Sequence, residues 1–252
     1  VPCDDDGHGT HTMGTMVGDD GADNLIGVAP AAQWIATNGC CENTGAETLL
    51  ASGWWLLAPT DLDGQNPDVS KRPHIVNNSW GTRAEHYFDD FFTAIDEAWT
   101  AAGMFSTWSA GNTSPAARCD TVSSPGSHPR AYSVGAFDVN GVLAAFSRKG
   151  EGEDGVIKPE ISAPGVNVRS SWPNNGYNAI SGTSMAAPHV SGAVAALWSY
   201  DPTLVGQIDL TRRLLAQSAI DVDDTACGGT AEFNNKYGEG RLDLVRLLQL
   251  AP

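Results

Sequence analysis

The stretch "SGTSMAAPHVSG" (181–192) places Ser184 where a turn of small residues gives way to a long apolar run. A serine there is either the cap of a helix or a nucleophile at its amino end. Gly182 permits close backbone approach, and Thr183 adds a second hydroxyl. The run that follows is apolar enough to be buried. The helix would then present its positive end and free amides in a low-dielectric place, where they stabilise an oxyanion. The stretch is not a Gly-x-Ser-x-Gly elbow, since Ala186 stands at the second glycine.

A serine nucleophile needs a base to take its proton. "GHGTHTMG" offers His8 and His11 near a predicted helix start. Glycines around His8 would let a substrate come close, which suits a base. The same pair also reads as structural, or as two metal ligands, although Gly9 and Thr10 rather than an acid lie between them. The third piece is "WSAGN", where Asn112 follows a strand-like run and closes a Gly-Asn turn. Its amide is either an ordinary turn residue's or an oxyanion donor aimed into a cleft.

The elements that must position these groups alternate between helix and strand. A small-residue helix starts near His8, a strand is expected at 31–38, and "ETLLASGWWLLA" reads as a helix before a loop at 59–73. Strands follow at 74–80 and in "MFSTWSAGN". Between them "FDDFFTAIDEAWTAAG" brings Phe88, Phe91, Phe92, Ile95 and Trp99 near one helical face. Further β-rich pieces are "AYSVGAF", "LAAFS", "EISAPG" and "VRSSW", and the chain finishes with helices at 184–200, about 206–218 and 241–250. Such alternation predicts an α/β fold: a mostly parallel sheet with helices on both faces, in one domain over 1–252. In such sheets functional groups gather beyond the carboxyl ends of the strands, where Ser79, Asn112 and the turn before Ser184 fall.

Charge narrows the partners. Against 30 Asp plus Glu there are 14 Lys plus Arg, a net charge of -16, which argues against nucleic acid or an anionic membrane. No apolar run approaches the roughly 18 residues of a membrane span. The five cysteines, Cys3, Cys40, Cys41, Cys119 and Cys227, match no zinc spacing. They read as one or two disulfides with a leftover thiol, or as buried free thiols.

Taken in order, "GHGTHTMGT", "VNNSWG…WSAGN" and "SGTSMAAPHVSG" resemble the subtilisin-like serine peptidases, and "KPEISAPGVNVRSS" resembles the bacillopeptidase F group, an extracellular branch. The resemblance implies a three-layer fold and a secreted endopeptidase acting on protein or peptide substrates, with no cofactor needed for chemistry. It implies His8 as general base, Ser184 as the nucleophile that carries the acyl group, and Asn112 as oxyanion donor with the Ser184 amide. Ser79, Trp80 and Gly81 would form the substrate-pairing edge, with Ala110 and Gly111 lining the same pocket and the Trp80 ring either narrowing it or favouring large apolar groups. His11, Pro188 and His189 would be structural.

The chain departs from that pattern in its acid. The family's aspartate precedes the histidine by a few dozen residues, whereas only seven residues precede His8 here. Asp4, Asp5 and Asp6 align with the loop leading into the histidine and are not assigned as the triad acid. The resemblance thus implies that the first part of the domain lies outside this chain, which is then a partial sequence of an active enzyme or one piece of a nicked protein, with a separate amino-terminal segment or a propeptide as a further partner. A non-catalytic module that holds extended peptides is the rival reading. Finally, "GDDGADN" supplies Asp19, Asp20, Asp23 and Asn24 as oxygen donors where family members bind a structural calcium.

Overall fold

A computed structural model describes residues 4–22, 24–39, 45–113 and 118–251. In chain order the elements are α1 (His8–Val17), α2 (Ala46–Trp55), β1 (Ile75–Asn78), α3 (Thr93–Ala101), β2 (Phe105–Ser109), β3 (Tyr132–Phe137), β4 (Gly150–Glu151), β5 (Ile157–Lys158), β6 (Ile161–Pro164), β7 (Val168–Trp172), β8 (Gly176–Ile180), α4 (Thr183–Tyr200), α5 (Ile208–Ser218) and α6 (Leu244–Gln249). The chain is α/β, as expected.

The main sheet is parallel, in the order β1-β2-β3-β6, with Asn78 opposite Trp108 and Val134 opposite Ile161. Every residue of β2 and β3 is buried, because helices cover both faces of a parallel sheet. Phe105 and Trp108 are an odd number of residues apart on β2, so they point to opposite faces. Phe105 joins the cluster built on Val190, Val194 and Leu197 of α4 with Leu215 and Leu247. Trp108 joins Phe92, Ile95, Trp99 and Met104, backed by Leu49 and Leu50 of α2. The two clusters hold the sheet rigid beneath the loops at its carboxyl end.

α1 is seated on the antiparallel β7–β8 hairpin. Ser170 Oγ donates to the His11 carbonyl at 2.8 Å and Ser171 Oγ donates to the Thr10 carbonyl at 2.9 Å. Gly7 precedes the helix with φ +84°, and a Cβ there would come within 2.7 Å of the Trp172 ring. Only glycine fits, and the entry angle of α1, and so the place of His8, is set by that contact.

Three elements differ from expectation. Residues 31–38 form no strand: Trp34 and Ile35 are 50% and 42% exposed, and among the described residues no ladder pairs with this stretch. β-propensity alone cannot hold an extended segment whose backbone groups have no partner strand. The helix expected from Phe88 starts only at Thr93, because Asp89 turns the chain by accepting from the Phe91 amide and its own N–H goes to Ser124 Oγ. The stretch "LAAFS" contributes two isolated bridges, Leu143 to Phe137 and Ser147 to Asn112, rather than a strand. Cys119 and Cys227 form a disulfide across 108 residues; Cys3, Cys40 and Cys41 lie outside the described residues.

Candidate active site

Ser184 is the second residue of α4, and a missing donor fixes its backbone. Pro188 sits inside the helix and has no N–H to give to the carbonyl four residues earlier. That carbonyl belongs to Ser184, and Ser79 Oγ donates to it at 2.8 Å. Ser79 Oγ in turn accepts from Asn77 Nδ2 at 3.0 Å. The start of α4 is thereby tied to the end of β1. The Ser184 hydroxyl donates to the Ser79 carbonyl at 3.1 Å, and its own N–H is one of the orphan amides of a helix start.

Asn112 reaches the same point from β2. Its Oδ1 accepts from the Thr183 N–H at 3.0 Å and from Thr183 Oγ1 at 3.1 Å, while Thr183 Oγ1 accepts from the Gly111 amide at 3.0 Å. With Oδ1 held twice, the Nδ2 group is left pointing outward, and it stands 3.4 Å from where a Cβ on Gly182 would be. Glycine at 182 keeps the space before this donor clear. Among the described residues Asn112 Nδ2 and Ser184 N have no hydrogen-bond partner, and both stand at the positive end of an 18-residue helix with no acid in its first turn. That arrangement can hold a developing oxyanion.

His8 is the first residue of α1 and is half-buried. Burial lowers its pKa from 6.5, with Asp6 and Asp4 pulling the other way, so its imidazole is neutral at pH 7. Its ring makes no hydrogen bond among the described residues, and none links it to Ser184. Asp4 does not serve it either: Oδ1 accepts from the Gly7 amide, and Oδ2 accepts from the Thr10 amide at 2.6 Å and Thr10 Oγ1 at 2.7 Å. These bonds make Asp4 a cap of α1, and they hold its carboxyl below the usual range against the opposing effect of burial. His11 is fully buried with Nε2 on the Val168 carbonyl at 2.9 Å, and His189 places Nδ1 against the Met185 carbonyl at 2.8 Å. Both are tied to backbone, as structural histidines are.

Past Asn78 and Trp108 the β1–β2 ladder stops, and the two chains continue as Ser79–Trp80–Gly81 and Ala110–Gly111–Asn112. The half-buried Trp80 ring packs edge-on to Trp108 and Phe92 at 5.0 and 5.1 Å. Sequence reasoning did not single out Arg148. Its backbone amide donates to the Gly111 carbonyl, and its buried guanidinium donates to the carbonyls of Thr82, Arg83 and Ala84. The signal was a basic residue after a β-rich run, indistinguishable in sequence from a solvated loop cation.

The acidic loop does not converge on a cation. Asp19 and Asp20 accept from backbone amides of their own turn, and Asn24 Oδ1 is occupied by Arg169 Nη1 at 2.8 Å. Asp23 lies outside the described residues. Among the described residues no group of three or more His, Cys, Asp and Glu side chains that could hold a metal ion occurs.

The subtilase family profile matches residues 2–240. Bacillopeptidase F of Bacillus subtilis (strain 168) is 42% identical over 246 residues, 95% of this chain but 16% of that protein. Subtilisin DY of Bacillus licheniformis is 31% identical over 232 residues, 92% of this chain and 77% of that protein. A solved structure of the prenylagaramide maturation protease PagA superimposes with TM-score 0.73 at 22% identity, covering 100% of this chain and 85% of that one. That likeness speaks to the fold. The profile and the identities speak to descent: the chain belongs to the subtilase family of serine peptidases.

Proposed function

We propose that this chain is the nucleophile-bearing part of a secreted serine endopeptidase, with Ser184 as nucleophile, His8 as general base and the triad acid supplied from outside the chain. The observation that carries this reading is the pair of donors, Asn112 Nδ2 and Ser184 N, that have no partner among the described residues and stand with the Ser184 hydroxyl at the start of α4. Ser184 Oγ attacks the carbonyl of a bound peptide. His8, neutral because burial lowers its pKa, takes the proton and returns it to the leaving amine. The oxyanion forms between the two donors. In this sequence Ser184 first gives up its bond to the Ser79 carbonyl and turns to His8. An acid on the far side of the imidazole would fix the tautomer and supply the orientation that His8 lacks. No cofactor takes part.

Substrates are proteins or peptides, laid in extended form along Ser79–Gly81, with Ala110 and Gly111 lining the pocket for the residue before the scissile bond. The Cys119–Cys227 disulfide supports an oxidising, extracellular setting, and no described helix is long and apolar enough to cross a membrane. Bacillopeptidase F is about six times longer than the matched span, so a further segment, including the one bearing the acid, belongs to this proposal.

A fluorophosphonate probe tests it. Labelling of Ser184, abolished in Ser184→Ala and strongly reduced in His8→Ala, is the expected result. The bond from Ser184 to the Ser79 carbonyl and the partnerless His8 ring favour one rival, a non-catalytic peptide-binding module. Peptide binding by a folded chain whose Ser184 takes no label, with or without an added amino-terminal segment, would establish that rival instead.

A further inference from the structure

The stretches that follow β1 and β2, 82–84 and 111–113, are tied together by one buried side chain. Arg148 is 3% exposed. Its Nη1 donates to the Thr82 and Ala84 carbonyls at 3.1 and 3.2 Å and to Ser123 Oγ, and its Nη2 donates to the Arg83 carbonyl at 2.6 Å. Three successive carbonyls, directly after Ser79–Gly81, thus converge on one guanidinium. The Thr82 amide adds a bond to the Ser124 carbonyl at 3.0 Å, and Ser123 Oγ donates to the Ala84 carbonyl at 2.6 Å.

The second stretch lies against the stem of the same side chain. Gly111 has φ +98°, and a Cβ built on it would lie 2.6 Å from Arg148 Cδ and 3.1 Å from Nε. The Arg148 amide donates to the Gly111 carbonyl at 3.0 Å, and the Gly111 amide donates to Thr183 Oγ1 at 3.0 Å. The residue before Asn112 is therefore fixed between Arg148 and the start of α4. Thr113 Oγ1, on Glu85, joins the same two stretches a second time.

Arginine is a costly residue to bury here. Burial lowers its pKa, with the Glu85 charge opposing, yet Glu85 gives one oxygen to Thr113 Oγ1 and the other to Arg118. Among the described residues Arg148 has no ion pair, and its Nε is buried without a partner. A well-packed apolar side chain of similar volume would avoid both costs. It could not bind three carbonyls and a hydroxyl at once, which a planar fork of donors can.

We infer that Arg148 is a positioning residue for Asn112: its guanidinium is anchored on 82–84 and Ser123, and its stem supports Gly111, so that Asn112 Nδ2 is held beside the amino end of α4. The inference rests on the reading of Asn112 as oxyanion donor, while the tie itself does not depend on turnover.

Arg148→Ala removes stem and fork, and ethylguanidinium chloride supplies both as a free molecule. The first measurement is the rate of Ser184 phosphonylation in the full chain, with and without an amino-terminal segment. We expect Arg148→Ala to slow it about 10–100-fold, short of the full loss of an oxyanion-hole donor, and millimolar ethylguanidinium to restore most of the rate in a saturable way. Penalty and rescue should both vanish in the Asn112→Ala background, because Arg148 acts through that side chain. Arg148→Lys keeps the charge but brings a single ammonium to acceptors spread over two nitrogens. It should lose several-fold, and it carries the test if Arg148→Ala does not fold. The second measurement is amide hydrogen exchange at Gly111 and Thr82, which should be roughly 2–13-fold faster in either variant, as the loss of one net hydrogen bond predicts.

A rate penalty of equal size with and without Asn112, a wild-type rate in Arg148→Lys, a folded Arg148→Ala that ethylguanidinium does not rescue, or unchanged exchange at Gly111 overturns the inference. The two measurements separate it from the reading beneath. A Ser184 that is labelled at a rate indifferent to Arg148 sinks Arg148 alone. A wild-type serine that takes no label, in a chain whose Gly111 exchange still answers to Arg148, keeps Arg148 as the residue that holds Asn112 and sinks the peptidase.

Discussion

Replacing Thr183 by valine removes one hydroxyl and almost no volume, at a fully buried position. Two bonds disappear: Gly111 N–H to Thr183 Oγ1, and Thr183 Oγ1 to Asn112 Oδ1. The Thr183 N–H to Asn112 Oδ1 bond stays, so Asn112 is held once instead of twice. A neutral hydrogen bond contributes about 0.5–1.5 kcal/mol net. If that is the cost of misdirecting Nδ2, reaction at Ser184 slows by roughly 2–13-fold. Deleting the donor outright in Asn112→Ala should cost about 10²–10³-fold, the range measured for an oxyanion-hole asparagine in a subtilisin. The assay is the second-order rate of Ser184 phosphonylation, followed with and without an amino-terminal segment, in wild type, both single variants and the double. Because Thr183 acts through Asn112, its effect should vanish in the Asn112→Ala background. A Thr183→Val penalty of equal size in both backgrounds would refute the positioning argument and leave only the orphaned Gly111 amide as the cause.

Four further expectations follow from other parts of the molecule. His8 must be neutral to act as base and its pKa lies below 6.5, so the phosphonylation rate should rise with pH through an apparent pKa under 6.5 and be flat at neutrality; a midpoint above 7 would contradict the assignment. Burial lowers the pKa of His11 and His189 as well, so the unfolded chain binds more protons than the folded one just below pH 6.5 and stability should fall as pH drops through that window, read as a declining urea midpoint. Lys158 is fully buried, with Nζ on Glu160 Oε1 at 2.5 Å and on the Ala131 carbonyl at 2.7 Å; Lys158→Met strands the Glu160 charge and should cost about 3–5 kcal/mol, whereas a loss under 1 kcal/mol would mean that Glu160 simply takes up a proton. Opening the Cys119–Cys227 bridge by serine substitution releases a loop of 108 residues and should cost up to about 4.7 kcal/mol, seen as a Tm lower by roughly 10–20 °C; an unchanged Tm would count against the bridge.

Much of this was legible in the chain because it depends on local pattern. The apolar run after Ser184 could only be a buried helix, and the strands around Ser79 and Asn112 end where their turn residues end them. The failures share one physical origin, dependence on a distant partner. The segment at 31–38 has strand-forming residues, yet a strand exists only when another one supplies its hydrogen bonds, and no composition rule reveals that. The contacts of the Trp80 ring are likewise decided by Phe92 and Trp108, which are separated from it in sequence. Arg148 was invisible for the same reason: its neighbours come from residues 82–84, 111 and 123, and only the fold assembles them around one guanidinium.

The oddest residue in the helix gives the clearest account of how the site is held. A proline in the second turn of α4 costs an intrahelical hydrogen bond and should weaken the helix. Here the freed carbonyl is that of Ser184, and Ser79 Oγ takes it at 2.8 Å. A bond internal to one helix is exchanged for a bond between helix and sheet. That exchange fixes Ser184 relative to the end of β1, where the substrate strand is proposed to lie. Pro188→Ala would return an amide donor to the helix, where it competes with Ser79 for the same carbonyl. The expected outcome is a variant equal or greater in thermal stability but slower in Ser184 phosphonylation, since the helix gains a bond while the tie to β1 loosens. Ser79→Ala should slow the reaction similarly while lowering stability, because it leaves the carbonyl unmatched. If Pro188→Ala reacted as fast as wild type, the proline would be a packing residue only, and the tie between Ser79 and Ser184 would have no part in positioning the nucleophile.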